Sequence, residues 1–168
     1  MGAAGDLQNL AADVLQACVD ILQATNGSPE RTYVSHGPPV FDCCPQLAVS
    51  ITNIGEAAST APDPFSPGLR KSRINLTGLA VTIAGCHPTV DNEARPPDAD
   101  VLTAAAAALN DDAWALWCGL WRMRGDLFGD CEIVFFDGMV PIVPEGGCAG
   151  WVMAIRFELP GYEPLLGS

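Results

Sequence analysis

Cys43 and Cys44 stand side by side, and Cys86 is followed directly by His87. Thiolates and an imidazole suit soft-metal ligation, thiol catalysis or disulfide formation. As a ligand set, Cys43, Cys44, Cys86 and His87 would satisfy zinc. Their spacing argues against it, because adjacent residues of an extended chain point to opposite faces, whereas zinc ligands two to four residues apart converge. No bound metal is expected. A catalytic cysteine needs a base, and the two histidines, His36 and His87, each lie beside glycine or proline in a breaker-rich stretch. Chain neighbours such as Cys86 and His87 are also awkwardly placed to hydrogen-bond through their side chains. Carboxylates pair at Asp98/Asp100 and Asp111/Asp112; the first pair sits where helix starts favour acids, and the second reads as solvated surface. There is no Gly-x-Ser-x-Gly elbow, phosphate loop or dinucleotide fingerprint, and "GGCAG" leads into a strand where a phosphate cradle would lead into a helix. No catalytic, cofactor-binding or metal-ligating residue is assigned, and no enzymatic activity or cofactor is expected.

The elements that carry these residues follow from periodicity. Between Asp6 and Thr25, the apolar residues Leu7, Leu10, Ala11, Val14, Leu15, Cys18, Ile21 and Leu22 keep the three-and-four spacing of one helical face. Asp6 can cap this helix, and "NGSPE" ends it. "RTYVS" is a short extended piece. "QLAVSITNI" alternates as a strand directly after the cysteine pair, and "KSRINLTGLAVTIAGC" is a longer strand, apolar on both faces and so central or covered by a partner. A second helix runs through "VLTAAAAALNDDAWALWCGLWRMRG", opened by Asp98 or Asp100 and stopped near Gly125. Trp114, Trp117, Cys118 and Trp121 share one of its faces, a stripe that belongs to a core or a subunit interface. "CEIVFFDGMVPI" and "GGCAGWVMAIRFEL" are two further strands. The order α-β-β-β-α-β-β predicts an α+β fold, a mostly antiparallel sheet packed with two helices.

Residues 1–168 read as a single domain: the chain is 49% hydrophobic and 17% charged, with no break in composition. Residues 55–71, rich in proline, read as a long loop or arm, and 87–97 as an acidic loop. Pro62, Pro64, Phe65 and Pro67 of the arm, with the basic cluster Arg70, Lys71 and Arg73 that follows, are the candidate subunit or partner contacts. Twenty acidic residues against eight basic ones leave a net charge of −12, which disfavours binding through phosphate neutralisation. Without a signal peptide or a long apolar run, the chain is expected to be a soluble protein made in the cytoplasm, with no membrane contact. Seven cysteines, an odd number, argue against a closed disulfide framework.

Four segments in succession, "FDCCPQLAVSI", "INLTGLAVTIAGCHPTVD", "DADVLTAAAAALNDDAWALWCGL" and "GGCAGWVMAIRFEL", resemble the tail terminator proteins of siphophages that infect actinobacteria. The resemblance covers about residues 5 to 160. It implies a virion protein of the head-tail neck: a small α+β subunit that forms a hexameric ring, caps the tail tube, and joins it to the head completion or stopper protein while DNA passes through without specific binding. It implies no cofactor. Cys43, Cys44, Cys86 and Cys148 stand where such sequences place cysteines, which marks them as candidate structural cysteines, with a pair close enough to bridge. Other neck components, a tail tube subunit, and a small metal- or thiol-dependent enzyme are the alternatives. In a ring, "WVMAIRFEL" or "INLTGLAVTI" would supply the sheet edge that a neighbour covers.

Overall fold

The structure, a computed structural model, describes residues 3–25, 27, 29–40, 45–58, 73–90, 95–131, 134–145 and 147–158. Its elements in chain order are α1 (Ala3–Gln23), β1 (Arg31–His36), β2 (Gln46–Ala58), β3 (Arg73–Cys86), α2 (Ala99–Arg122), α3 (Arg124–Leu127), β4 (Val134–Glu145) and β5 (Cys148–Glu158). They form an α+β fold around one five-stranded sheet of order β1-β2-β3-β5-β4. β1 runs parallel to β2, and the β2–β3, β3–β5 and β4–β5 pairs are antiparallel.

Alternation within the strands sorts the side chains. Leu47 and Val49 of β2, Leu79, Val81 and Ile83 of β3, and Met153, Ile155 and Phe157 of β5 share one face of the sheet. Against them pack Leu7, Val14, Cys18 and Leu22 of α1 and Leu116 and Leu120 of α2, all buried. The opposite face carries no helix among the described elements. It is lined by small residues, Ala48, Ser50, Ala80, Thr82 and Ala84, which are nonetheless buried. The segment after β1 accounts for part of this cover: Pro38 and Pro39 line a groove of about 300 Å³ with Ser50, Thr82 and Val152. Tyr33 Oη and Gln46 Nε2 both donate to the carbonyl of Val40, at 3.3 and 3.1 Å, and hold that segment down.

Several boundaries depart from the sequence expectation. α1 begins at Ala3, so Asp6 lies in its first turn, where its charge still faces the positive helix end, and does not cap it. Gly27, at φ +98, closes the other end by donating its N–H to Leu22 O at 2.9 Å. α2 stops at Arg122, ahead of Gly125. Met123 (φ −85, ψ 3) leaves helical geometry, and one further turn, α3, makes a third helix beyond the two expected. Gly55–Ala58, expected in the arm, belong to β2 and pair with Arg73–Leu76. The ladder carries them, since "GEAA" has little strand preference of its own. Among the described strands the sheet edges are β1 and β4; the strands expected at the edge, β3 and β5, lie inside. Strand order is a non-local property, and a strand's own pattern does not report its neighbours.

Candidate functional site

The feature best suited to a partner lies where α2 passes over the β4 side of the sheet. α2 turns Ala113, Leu116 and Leu120 inward and leaves Trp114, Trp117 and Trp121 on its flank. Trp117 and Trp121 stack at 6.3 Å between ring centroids, and both meet Phe136 of β4 edge-on, at 6.1 and 5.5 Å. Phe136 meets Phe128 at 6.1 Å, and Phe128 meets the buried Phe157 at 5.4 Å. A continuous aromatic chain thus runs from core to surface. Its outer member Trp121 is 52% exposed, and Trp114, one turn before Trp117 on α2, is 67% exposed. The expected tryptophan stripe therefore divides, with Trp117 packed against the core and its two neighbours facing outward.

Beside the stripe, a cleft of about 530 Å³ is walled by Trp114, Trp117, Met139 and Trp151, with Asn110 and Asp111 on its rim. Trp151 Nε1 donates to Asn110 Oδ1 at 3.1 Å, fixing one wall to α2. The guanidinium of Arg124 lies 5.6 Å from the Trp121 ring centre, a cation–π contact at the far end.

β4 is the strand next to this cleft, and its outer edge meets no other strand among the described residues. Register slips between Phe136 and Met139, where Gly138 at φ +90 supplies a conformation that other residues rarely adopt. The bulge brings Asp137 to Arg156, which donates from Nε and Nη2 at 2.5 and 2.6 Å. That hydrogen bond and the adjacent charge raise the Arg156 pKa above its ordinary value. Pro141 lacks a donor in mid-strand, and bulge and proline together make β4 a poor template for indiscriminate pairing. Apolar side chains on β4 still face solvent: Phe135 at 47%, Val140 at 59% and Val143 at 78%.

Among the described residues, no three His, Cys, Asp or Glu side chains converge as a metal would require. Cys43 and Cys44 lie outside the described residues, as do Pro62, Pro64, Phe65, Pro67, Arg70 and Lys71; Arg73 opens β3 as the last rung of the β2–β3 ladder. His36 ends β1, and His87 Nδ1 is 3.0 Å from Pro88 O. Asp98 takes the N-cap position of α2, Asp100 lies in its first turn, and Asp111 stands on the cleft rim. Cys86 and Cys148 are brought together, at facing positions of the β3–β5 ladder. No helix among the described residues is long and apolar enough to cross a membrane.

No model of a known protein family matches the sequence, and no curated protein matches it. The functional reading therefore rests on the surface itself. An open aromatic cleft is the composition of a protein–protein contact, where tryptophan and other aromatics concentrate. Sequence periodicity placed the three tryptophans on one stripe; which of them face solvent depended on how α2 rolls against β4 and β5.

Proposed function

We propose that this chain is a structural virion protein, the tail terminator of a siphophage: a subunit that closes the tail tube as a ring and joins it to the head connector. The observation that carries the reading is the exposed aromatic flank of α2. Trp114 and Trp121 expose apolar area beside the cleft, which a lone subunit leaves in water and a ring neighbour would cover, while Phe135 and Val140, paired with Arg156 and Val152, expose theirs on the opposite face of the sheet. The succession of segments resembling tail terminators supports it, and the α+β fold is of the kind that resemblance implies. A net charge of −12 suits a conduit, because phosphates that are not gripped need not be released at each step of DNA passage.

On this reading the ring partners are further copies of the chain, the tail tube protein and the head completion protein, with Pro62, Pro64, Phe65, Pro67, Arg70, Lys71 and Arg73 as candidate contacts to one of them. Ring closure follows when one contact repeats around an axis and its rotation divides a full turn. The test is removal of the gene product from an infection, followed by electron microscopy. Overlong or headless tails are expected. Absent tails beside normal heads would point instead to a tube subunit, and normal tails of regular length joined to heads would overturn the reading.

A further inference from the structure

We propose that Cys86 and Cys148 form a redox modification site, a vicinal dithiol on the helix-free face of the sheet that a small-molecule disulfide such as oxidised glutathione converts to a cross-strand disulfide. The two residues face each other at the end of the β3–β5 ladder. The His87 amide donates to the Gly147 carbonyl at 2.6 Å. In an antiparallel ladder, a bond from the residue after one member of a pair to the residue before the other marks that pair as non-hydrogen-bonded. Cα atoms at such a site stand about 4.5 Å apart with side chains on the same face, within the span of about 4.4–6.8 Å that a disulfide requires. Both sulfurs are thiols in the structure. Their surroundings divide the labour, since Cys86 is exposed and Cys148 buried. Cys18 and Cys118 lie on α1 and α2 and Cys131 falls between α3 and β4, so none of the three stands in the ladder.

The exchange balances in two displacements. Cys86, as thiolate, attacks one sulfur of the small disulfide; that S–S bond breaks, one small thiolate leaves, and a mixed disulfide forms. Cys148, as thiolate, then attacks the Cys86 sulfur and expels the second small thiolate. Two protein thiols are oxidised by two electrons, the small disulfide is reduced to two thiols, and the two protons pass through solvent to the departing thiolates. The bond closes the chain between Cys86 and Cys148, a loop that holds α2, α3 and β4, and so removes freedom from the unfolded state. Its timing rests on the proposed virion role: the pair stays reduced during assembly in a reducing compartment, and the bridge closes in oxidising surroundings after release.

The experiment uses the full chain, incubated with oxidised glutathione, alkylated and peptide-mapped. A peptide joining Cys86 to Cys148 is expected, with a thermal midpoint raised by about 10 °C and restored by dithiothreitol. The Cys43→Ser/Cys44→Ser variant retains the bridge, and Cys148→Ser stops at a glutathione adduct on Cys86. Full alkylation of both cysteines after oxidation, or a map joining Cys86 to Cys43 or Cys44, overturns the proposal; neither result bears on ring formation.

Discussion

Cys18 shows how much a single side chain reports about the core. It has no accessible surface, and burial pushes its thiol well above the ordinary value of 9.0. The folded chain therefore keeps this proton at a pH where the unfolded chain releases it. Below the ordinary value both states are protonated and the residue adds no pH dependence; above it, unfolding releases a proton and stability falls as pH rises. The expected slope is about 1.4 kcal/mol per pH unit. Urea unfolding of the wild type and Cys18→Ala, compared from neutral to strongly alkaline pH, isolates this from other titrations. The substitution costs about 1–2 kcal/mol at neutral pH through lost packing, and that gap narrows by the stated slope above about pH 9. A constant gap would mean that the thiol ionises equally in both states. The place of Cys18 in the core was legible from its position on an apolar stripe. The pairing of Cys86 with Cys148 was not, because it depends on a ladder between strands far apart in sequence.

Among the elements, α1 and α2 are locked by a contact that neither segment announces. Gly119 lies in the interior of α2, where glycine costs about 1 kcal/mol relative to alanine. The cost is offset because α1 backs onto it: a Cβ at Gly119 would stand 2.5 Å from Ile21 Cδ1 and 2.7 Å from Cγ1. Overpacking of this kind costs about 1–3 kcal/mol, which cancels or exceeds the gain in helix propensity. Gly119→Ala is therefore neutral or destabilising in the wild type. In an Ile21→Ala background, where the obstructing atoms are gone, the same change stabilises by about 1 kcal/mol. Chemical denaturation of the four proteins completes the cycle, and the same sign in both backgrounds would refute the contact. α1, α2 and the two-sided apolar character of β3 were readable, because periodicity is local; that β3 is central, and not an edge covered by a partner, is left open by its pattern. The single turn of α3, the extension of β2 through Gly55–Ala58 and the edge position of β4 were not, since each depends on partners supplied from elsewhere in the chain.

For the whole molecule, the question is whether the aromatic surface is a contact or a tolerated exposure. Trp114 and Trp121 decide it, because each is more than half exposed and so contributes little to the fold, yet each would be fully desolvated at the centre of a contact. Trp114→Ser should change stability by no more than about 0.5 kcal/mol. Trp121→Ser should cost about 1 kcal/mol more, since it removes the stacking on Trp117 and the edge contact to Phe136. Assembly responds on a different scale, because a buried tryptophan anchor contributes about 2 kcal/mol or more to each interface and a ring repeats the loss at every junction. If the surface is the proposed ring contact, the double variant Trp114→Ser/Trp121→Ser keeps a cooperative thermal transition and a wild-type circular dichroism spectrum but sediments as a smaller species than the wild type at the same concentration. Rings that persist in the variant would move the interface elsewhere, with the opposite edge at β1 and the helix-free face of the sheet the surfaces left to carry it.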